Sequence, residues 1–195
     1  YSAICGGHTE DNDAVWNQSP SPLLRGLPDG RVPPPPTSDD AALSRWIESD
    51  EASPWCQVSS LANHKMFRWT RTLNGKRLKA VEKALGVGAL RALTITERGV
   101  SGRARSLIVR GTRGQTVLEP ELRIRRALGN LPSSLFTMKL ARRGQRLVGV
   151  TFRGRGWGHG VGMCQMGAIG MAEAGYDNAS ILKHYYPGSS IQTVY

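Results

Sequence analysis

The chain has 195 residues, with 26 Lys plus Arg against 15 Asp plus Glu and a formal net charge of +11. That length supports one domain with a substantial core, and the charge favours a polyanionic partner over a cationic one. No apolar run approaches the roughly 20 residues that cross a bilayer, so a membrane-spanning helix is excluded. Charge alone leaves nucleic acid, an anionic membrane surface and acidic glycan in play. No complete nucleic-acid motif occurs, and no nucleic acid is expected as a partner.

The opening "YSAICGG" reads as the interior of a strand, which predicts that the chain starts within a longer precursor whose export signal lies upstream. Asn17 to Asp40 is rich in Pro, Ser, Asp and Gly and is expected to be an exposed connection. "DDAALSRWIESD" carries an Asp cap and helical spacing, and "MFRWTRTL" alternates aromatic and basic residues as a strand would. Leu78, Val81 and Leu85 mark one face of a short helix that Gly86 ends. "LRALTITERG" and "ARSLIVRGTRG" alternate apolar with polar around a Gly-Val-Ser-Gly connection and predict a hairpin.

Pro120 suits the first turn of a helix and Gly129 its end, after which "SSLFTMKL" and "RLVGVTFRG" read as paired strands. Near the end, Asp177 or Asn178 caps a helix with Ile181, Leu182 and Tyr185 on its apolar face, stopped by Pro187 and Gly188. Strands and helices do not alternate regularly, so the expected class is α+β: a mixed sheet core with short helices, in which residues 41–115 are read as an inserted smaller module.

The last two strands lead into "GRGWGHGVGMCQMGAIGMAEAG", where glycine recurs at every second position from Gly154 to Gly162. Residues i and i+2 of an extended segment share a face, so the glycines would line one side while Arg155, Trp157, His159 and Val161 line the other. Glycines weaken a strand, and such a run makes sense where a ligand or another backbone approaches closely. Trp157 can stack on a sugar ring, Arg155 can pair a carboxylate and His159 can bond a hydroxyl, with Gly160 leaving room for the strand to lie against the backbone. The spacing does not match a phosphate-binding loop, because no GxxxxGK[ST] is present. Cys5, Cys56 and Cys164 form no CxxC pair. A Cys5–Cys56 disulfide, a zinc site built on Cys5 with His8 and Cys56 with His64, and unpaired thiols all stay open. No motif demands a cofactor.

"GRGWGHGVGMCQMGAIGMAEAGYDNASILKHYYPG", together with "YSAICGGHTEDNDAVW" and "PELRIRRALGNLPSSLFTM", resembles the SpoIID/LytB family. The resemblance brackets residues 1–188. Members act on bacterial peptidoglycan, either as lytic transglycosylases on glycan stripped of stem peptides or as enhancers of N-acetylmuramoyl-L-alanine amidases. The resemblance therefore implies peptidoglycan glycan strands as substrate, an amidase as partner and an exported protein of the cell envelope or exterior.

Within it, His8, Thr9 and Glu10 fall on the family's GGxTE turn, and His159, Cys164 and Gln165 on its GHGVGxxQ motif. The implied substrate-binding set is His8, Thr9, Glu10, Arg155, Trp157, His159, Gly160 and Gln165. The family's catalytic glutamate belongs to a helix upstream of the turn, and no such stretch occurs here, so the acid is expected in the intact protein rather than in this chain. Glu10 is expected to fix loop geometry, and Glu173 to be solvated.

Overall fold

The computed structural model describes residues 1–50 and 53–192. The chain is α+β, built on two antiparallel three-stranded sheets. The first has the order β1 (Arg68–Asn74), β6 (Arg146–Arg155), β5 (Phe136–Arg143), and the second β2 (Leu90–Arg98), β3 (Ala104–Gly111), β4 (Gly114–Leu118). Residues 41–115 thus contribute β1 to the first sheet and β2 and β3 to the second.

The expected hairpins form: β2 pairs with β3 and β5 with β6. The fourth strand was missed because "GQTVL" is short and follows a two-residue turn. Between the sheets lies the main core, including Trp69, Leu73, Leu93, Leu107, Val109, Phe136, Val150 and Phe152. The Phe136 and Phe152 rings meet edge to face with centroids 5.3 Å apart, a favoured aromatic geometry.

Helices close this core. In α5 (Gly75–Leu85), Leu78 and Val81 are buried and Gly86, at φ +69°, returns its N–H to the Glu82 and Lys83 carbonyls, the left-handed C-cap that glycine permits. Beside it packs α6 (Glu121–Ala127), which begins just after Pro120. Near the start of the chain, α2 (Asp40–Glu48) is capped by the Asp39 carboxylate accepting from Ala41 N–H.

A second core gathers Ile4, Cys5, Cys56, Phe67, Cys164, Met171 and Tyr185. It joins the chain start to two short helices that periodicity could not reveal, α3 (Trp55–Val58) and α4 (His64–Phe67), and to α7 (Gln165–Glu173) and α8 (Asn178–Tyr185). The Asp177 cap of α8 is present, accepting from Ser180 N–H. A five-residue helix, α1 (Asn12–Trp16), follows the first turn.

Two expectations need correction. Residues 1–5 form no regular strand and make only isolated bridges, Ser2 to Cys164 and Ile4 to Trp157, because their neighbour is the glycine ribbon, and Gly6 and Gly7 turn the chain at positive φ. The connection from Asn17 to Asp40 is not uniformly exposed. Thr9 N–H donates to Leu27 O, Asn12 N–H to Leu24 O and Asp29 N–H to Gly7 O, which pins residues 24–29 along the first turn and buries Asp29 completely.

Candidate functional site

The ribbon departs from the expected extended strand as soon as β6 ends. Gly156, Gly158, Gly160 and Gly162 all have positive φ, from +68° to +107°, a region glycine alone enters freely. Each turn sends a backbone group to a different neighbour. Gly156 N–H donates to Phe67 O, Trp157 N–H to Ile4 O and Gly158 N–H to Pro132 O, while Gly160 O accepts from Glu10 N–H. The protein itself fills the side that the glycines leave open. A Cβ on Gly156 would lie 2.8 Å from Ile4 O, and one on Gly160 would lie 2.3 Å from Arg103 Cζ. Gly160 therefore makes room for a buried guanidinium and not for a sugar.

Arg155 also points inward. It is 1% exposed, and its Nε donates to Ile47 O at 2.7 Å and its Nη2 to Ser49 O. The guanidinium stacks over Trp46, 4.5 Å from the ring centroid, and over Phe67, and burial lowers its pKa to about 10. The alternation of faces breaks because its register ends at Arg155, where the strand stops pairing with Arg68.

The first turn is a scaffold. Thr9 Oγ1 donates to Leu27 O and accepts from Leu27 N–H, and His8 Nδ1 bonds Thr9 O at 2.7 Å. Glu10 is fully buried and accepts from Asp11, Val100 and Ser101 N–H and from Ser101 Oγ. Burial raises its pKa, although Ser101 and Arg103 pull the other way. Its role as a loop anchor is the one expected for it.

Arg103 and Ser101 carry this network and were not singled out from the sequence, since "GVSGRARS" reads only as a hairpin connection. Arg103 Nη1 donates to His8 O and Ser101 Oγ, and Nη2 to Cys5 O at 2.7 Å.

The outward side keeps three of the expected residues. Trp157 is 38% exposed. His159 lies 5.1 Å, centroid to centroid, from the exposed ring of Trp16. Its Nδ1 accepts from Val161 N–H at 3.0 Å, which leaves the proton of the neutral ring on Nε2. Burial, reinforced by the positive charges of the Tyr1 amino group, Arg103 and Arg125, outweighs a hydrogen bond to the Tyr1 backbone and lowers its pKa to about 4, so at neutral pH the ring is uncharged. Gln165 is exposed at the first residue of α7.

Asp11 and Asp13 are both paired with Arg25. Exposed Glu173 accepts from the Ser60 N–H and hydroxyl, which lower its pKa. The face presents aromatic rings for stacking, and these three carboxylates are committed to Arg25 and Ser60.

Behind the ribbon, Cys5, Cys56, Cys164 and Asp29 come together, all buried, with their ligand atoms within 4.8 Å of one another. All three thiols are free. Neither His8 nor His64 joins the group, so the Cys-His halves expected from the spacing do not assemble: His8 is turned to Thr9 O, and His64 is exposed. Burial pushes the Cys5 and Cys56 thiols up. Burial also opposes ionisation of Cys164, but hydrogen bonds from both other thiols and from the Cys5 and Gly167 N–H groups outweigh it and hold its pKa well below the usual range. Asp29 is pushed up to about 7, chiefly by burial.

Among relatives, the chain is 29% identical over 197 residues to an uncharacterised protein of Brachyspira hyodysenteriae, covering 98% of this chain and 42% of that protein. It is 25% identical over 210 residues to the amidase enhancer of Bacillus subtilis, covering 98% of this chain and 29% of the enhancer. A 42-residue stretch, 22% of the chain, is 52% identical to stage II sporulation protein D of Bacillus amyloliquefaciens, of which it covers 12%. The chain thus spans less than half the length of these relatives, and their names support a SpoIID/LytB-like relationship. No helix among the described residues is long and apolar enough to cross a membrane. A family model described as a domain of unknown function (DUF8618) matches residues 10–162, from the first turn through the ribbon, and the chain belongs to that family.

Proposed function

We propose that this chain is the glycan-holding part of an exported, SpoIID/LytB-type cell-wall protein, and that it binds peptidoglycan strands across the face formed by Trp16, Trp157 and His159. The observation that carries the reading is the grouping of the exposed Trp16 and Trp157 rings with the uncharged imidazole of His159, which the Val161 N–H and the Tyr1 backbone hold in place. Sugars present an apolar ring face on which exposed aromatic rings stack. The charge of +11 draws the chain to a polyanionic wall. Similarity over 98% of the chain to a protein named amidase enhancer supports the wall as the setting.

In the intact protein the reaction is a lytic transglycosylation. One carboxyl group protonates the glycosidic oxygen and then accepts the proton of the muramic hydroxyl that closes the anhydro ring. Glu10 does not supply that carboxyl group, being sealed under four donors. The same similarity favours a second reading, a non-catalytic module that assists an N-acetylmuramoyl-L-alanine amidase.

Retention on peptide-free glycan tests the binding face. Trp157→Ala should weaken binding by about 1–2 kcal/mol with an unchanged melt. A folded variant that binds as well as wild type would end the assignment. Mass spectrometry of glycan treated with the intact protein separates the two readings: anhydro-muramic ends mark the transglycosylase, and their absence together with faster amidase turnover marks the enhancer.

A further inference from the structure

We propose that Cys5, Cys56, Cys164 and Asp29 form a closed structural zinc site that ties the chain start and the first connection to α3 and α7. The four ligands come from four separate segments, with Cys5 and Cys56 51 positions apart and Cys5 and Cys164 159 apart. Folding nevertheless brings their ligand atoms within 4.8 Å of one another, in a place without solvent exposure. Tetrahedral zinc with bonds of about 2.3 Å to sulfur sets its sulfurs roughly 3.8 Å apart, and Cys5 Sγ and Cys56 Sγ are 3.7 Å apart. Three thiolates and one carboxylate in a closed four-ligand group suit zinc rather than magnesium or calcium, which take oxygen ligands in larger numbers.

The surroundings are those of an oriented ligand set. Cys5 N–H donates to Cys164 Sγ at 3.1 Å, and Cys56 N–H donates to Asp29 Oδ2 at 2.8 Å. The Tyr185 hydroxyl donates to Asp29 Oδ1. Such second contacts fix ligand orientation at metal centres. Cys164 is the N-cap residue of the nine-residue α7, where the helix dipole favours a thiolate. Gly167 of that helix has no room for a side chain, because its Cβ would lie 2.2 Å from Asp29 Oδ1.

A Cys5–Cys56 disulfide would leave Cys164 and the buried Asp29 without a cation. Among the described residues no basic side chain is paired with Asp29. With zinc bound, the thiol protons leave to solvent and the residual negative charge is offset by the N–H donors and by Arg103, whose Nη2 is bonded to Cys5 O. All four positions are occupied by protein groups, so the metal is structural and stands apart from the glycan face.

The test uses the full chain purified without a histidine tag or chelator. Elemental analysis should find about one zinc per chain, released when a mercurial titrates the thiols and detected with a metallochromic dye. Cobalt(II) added to the wild-type apoprotein should give the sulfur-to-cobalt charge-transfer bands and intense visible bands of a tetrahedral thiolate site, a readout independent of any variant. Asp29→Asn should keep the thiolate bands while releasing zinc to a weaker chelator, and Cys164→Ser should lose metal. A wild-type chain that takes up neither zinc nor cobalt under reducing conditions would overturn the proposal. So would an octahedral cobalt spectrum, or a native mass two hydrogens below the reduced chain with no metal.

Discussion

Gly160→Ala isolates what the ribbon's glycines are for. A Cβ there would lie 2.3 Å from Arg103 Cζ and 2.6 Å from its Nη2, at a backbone φ of +88°. Arg103 has nowhere cheap to go, since it is 1% exposed and held by His8 O, Ser101 Oγ and Cys5 O. Alanine at positive φ costs about 1–2 kcal/mol, and weakening one or two hydrogen bonds from a buried guanidinium costs about 1.5–3 kcal/mol each. The sum is roughly 2.5–8 kcal/mol.

Gly175→Ala is the internal control, because Gly175 has φ +89° and nothing within 4 Å of its Cβ position. It carries the backbone strain alone. For a chain of this size 1 kcal/mol moves Tm by about 2–4 °C, so Gly160→Ala, which adds only the hydrogen-bond loss, should melt roughly 3–24 °C below Gly175→Ala. Calorimetry or thermal circular dichroism on both variants decides the matter. If they melt within about 2 °C of each other, Arg103 is not what the missing side chain accommodates, and the approach of an external ligand becomes the better account of the ribbon.

Arg155→Lys removes the fork that reaches Ile47 O and Ser49 O and the stacking on Trp46. It should cost about 2–4 kcal/mol in denaturant unfolding while the folded fraction retains glycan normally, and a variant of full stability that no longer binds glycan would show that Arg155 meets the ligand directly. The folded pKa of His159, about 4, lies below its unfolded value of about 6.5, so the folded state binds fewer protons. Stability from this group is complete above the unfolded pKa and is lost as pH falls from about 6.5 through about 4; His8 shifts in the same direction, chiefly through burial. Urea midpoints across that window should depend less on pH in His159→Phe, and an unaltered slope would refute the assignment.

Local pattern was sufficient wherever a segment's own chemistry decides its shape. The cap at Asp39, the stop at Gly86, the alternation that makes β2 and β3 a hairpin and the pairing of β5 with β6 all follow from residues within a few positions of one another. The motifs at residues 4–10 and 154–165 were visible as text, and so was the family likeness they carry. What faces those motifs was not.

A glycine announces that something comes close without saying whether it is ligand or protein, and only the tertiary structure shows Arg103 against Gly160 and the Ile4 carbonyl against Gly156. Alternation assigned Arg155 to an outward face on the assumption that the strand continues, whereas positive φ from Gly156 onward rotates each following residue independently. Asp29 was hidden in a proline-rich stretch whose composition reads as solvent-facing, and its burial depends on the backbone pairing of residues 24–29 with the first turn. The cysteine cluster is the clearest case. Its four ligands share no spacing that a local motif could encode, because their proximity is created by packing the chain start between α3 and α7.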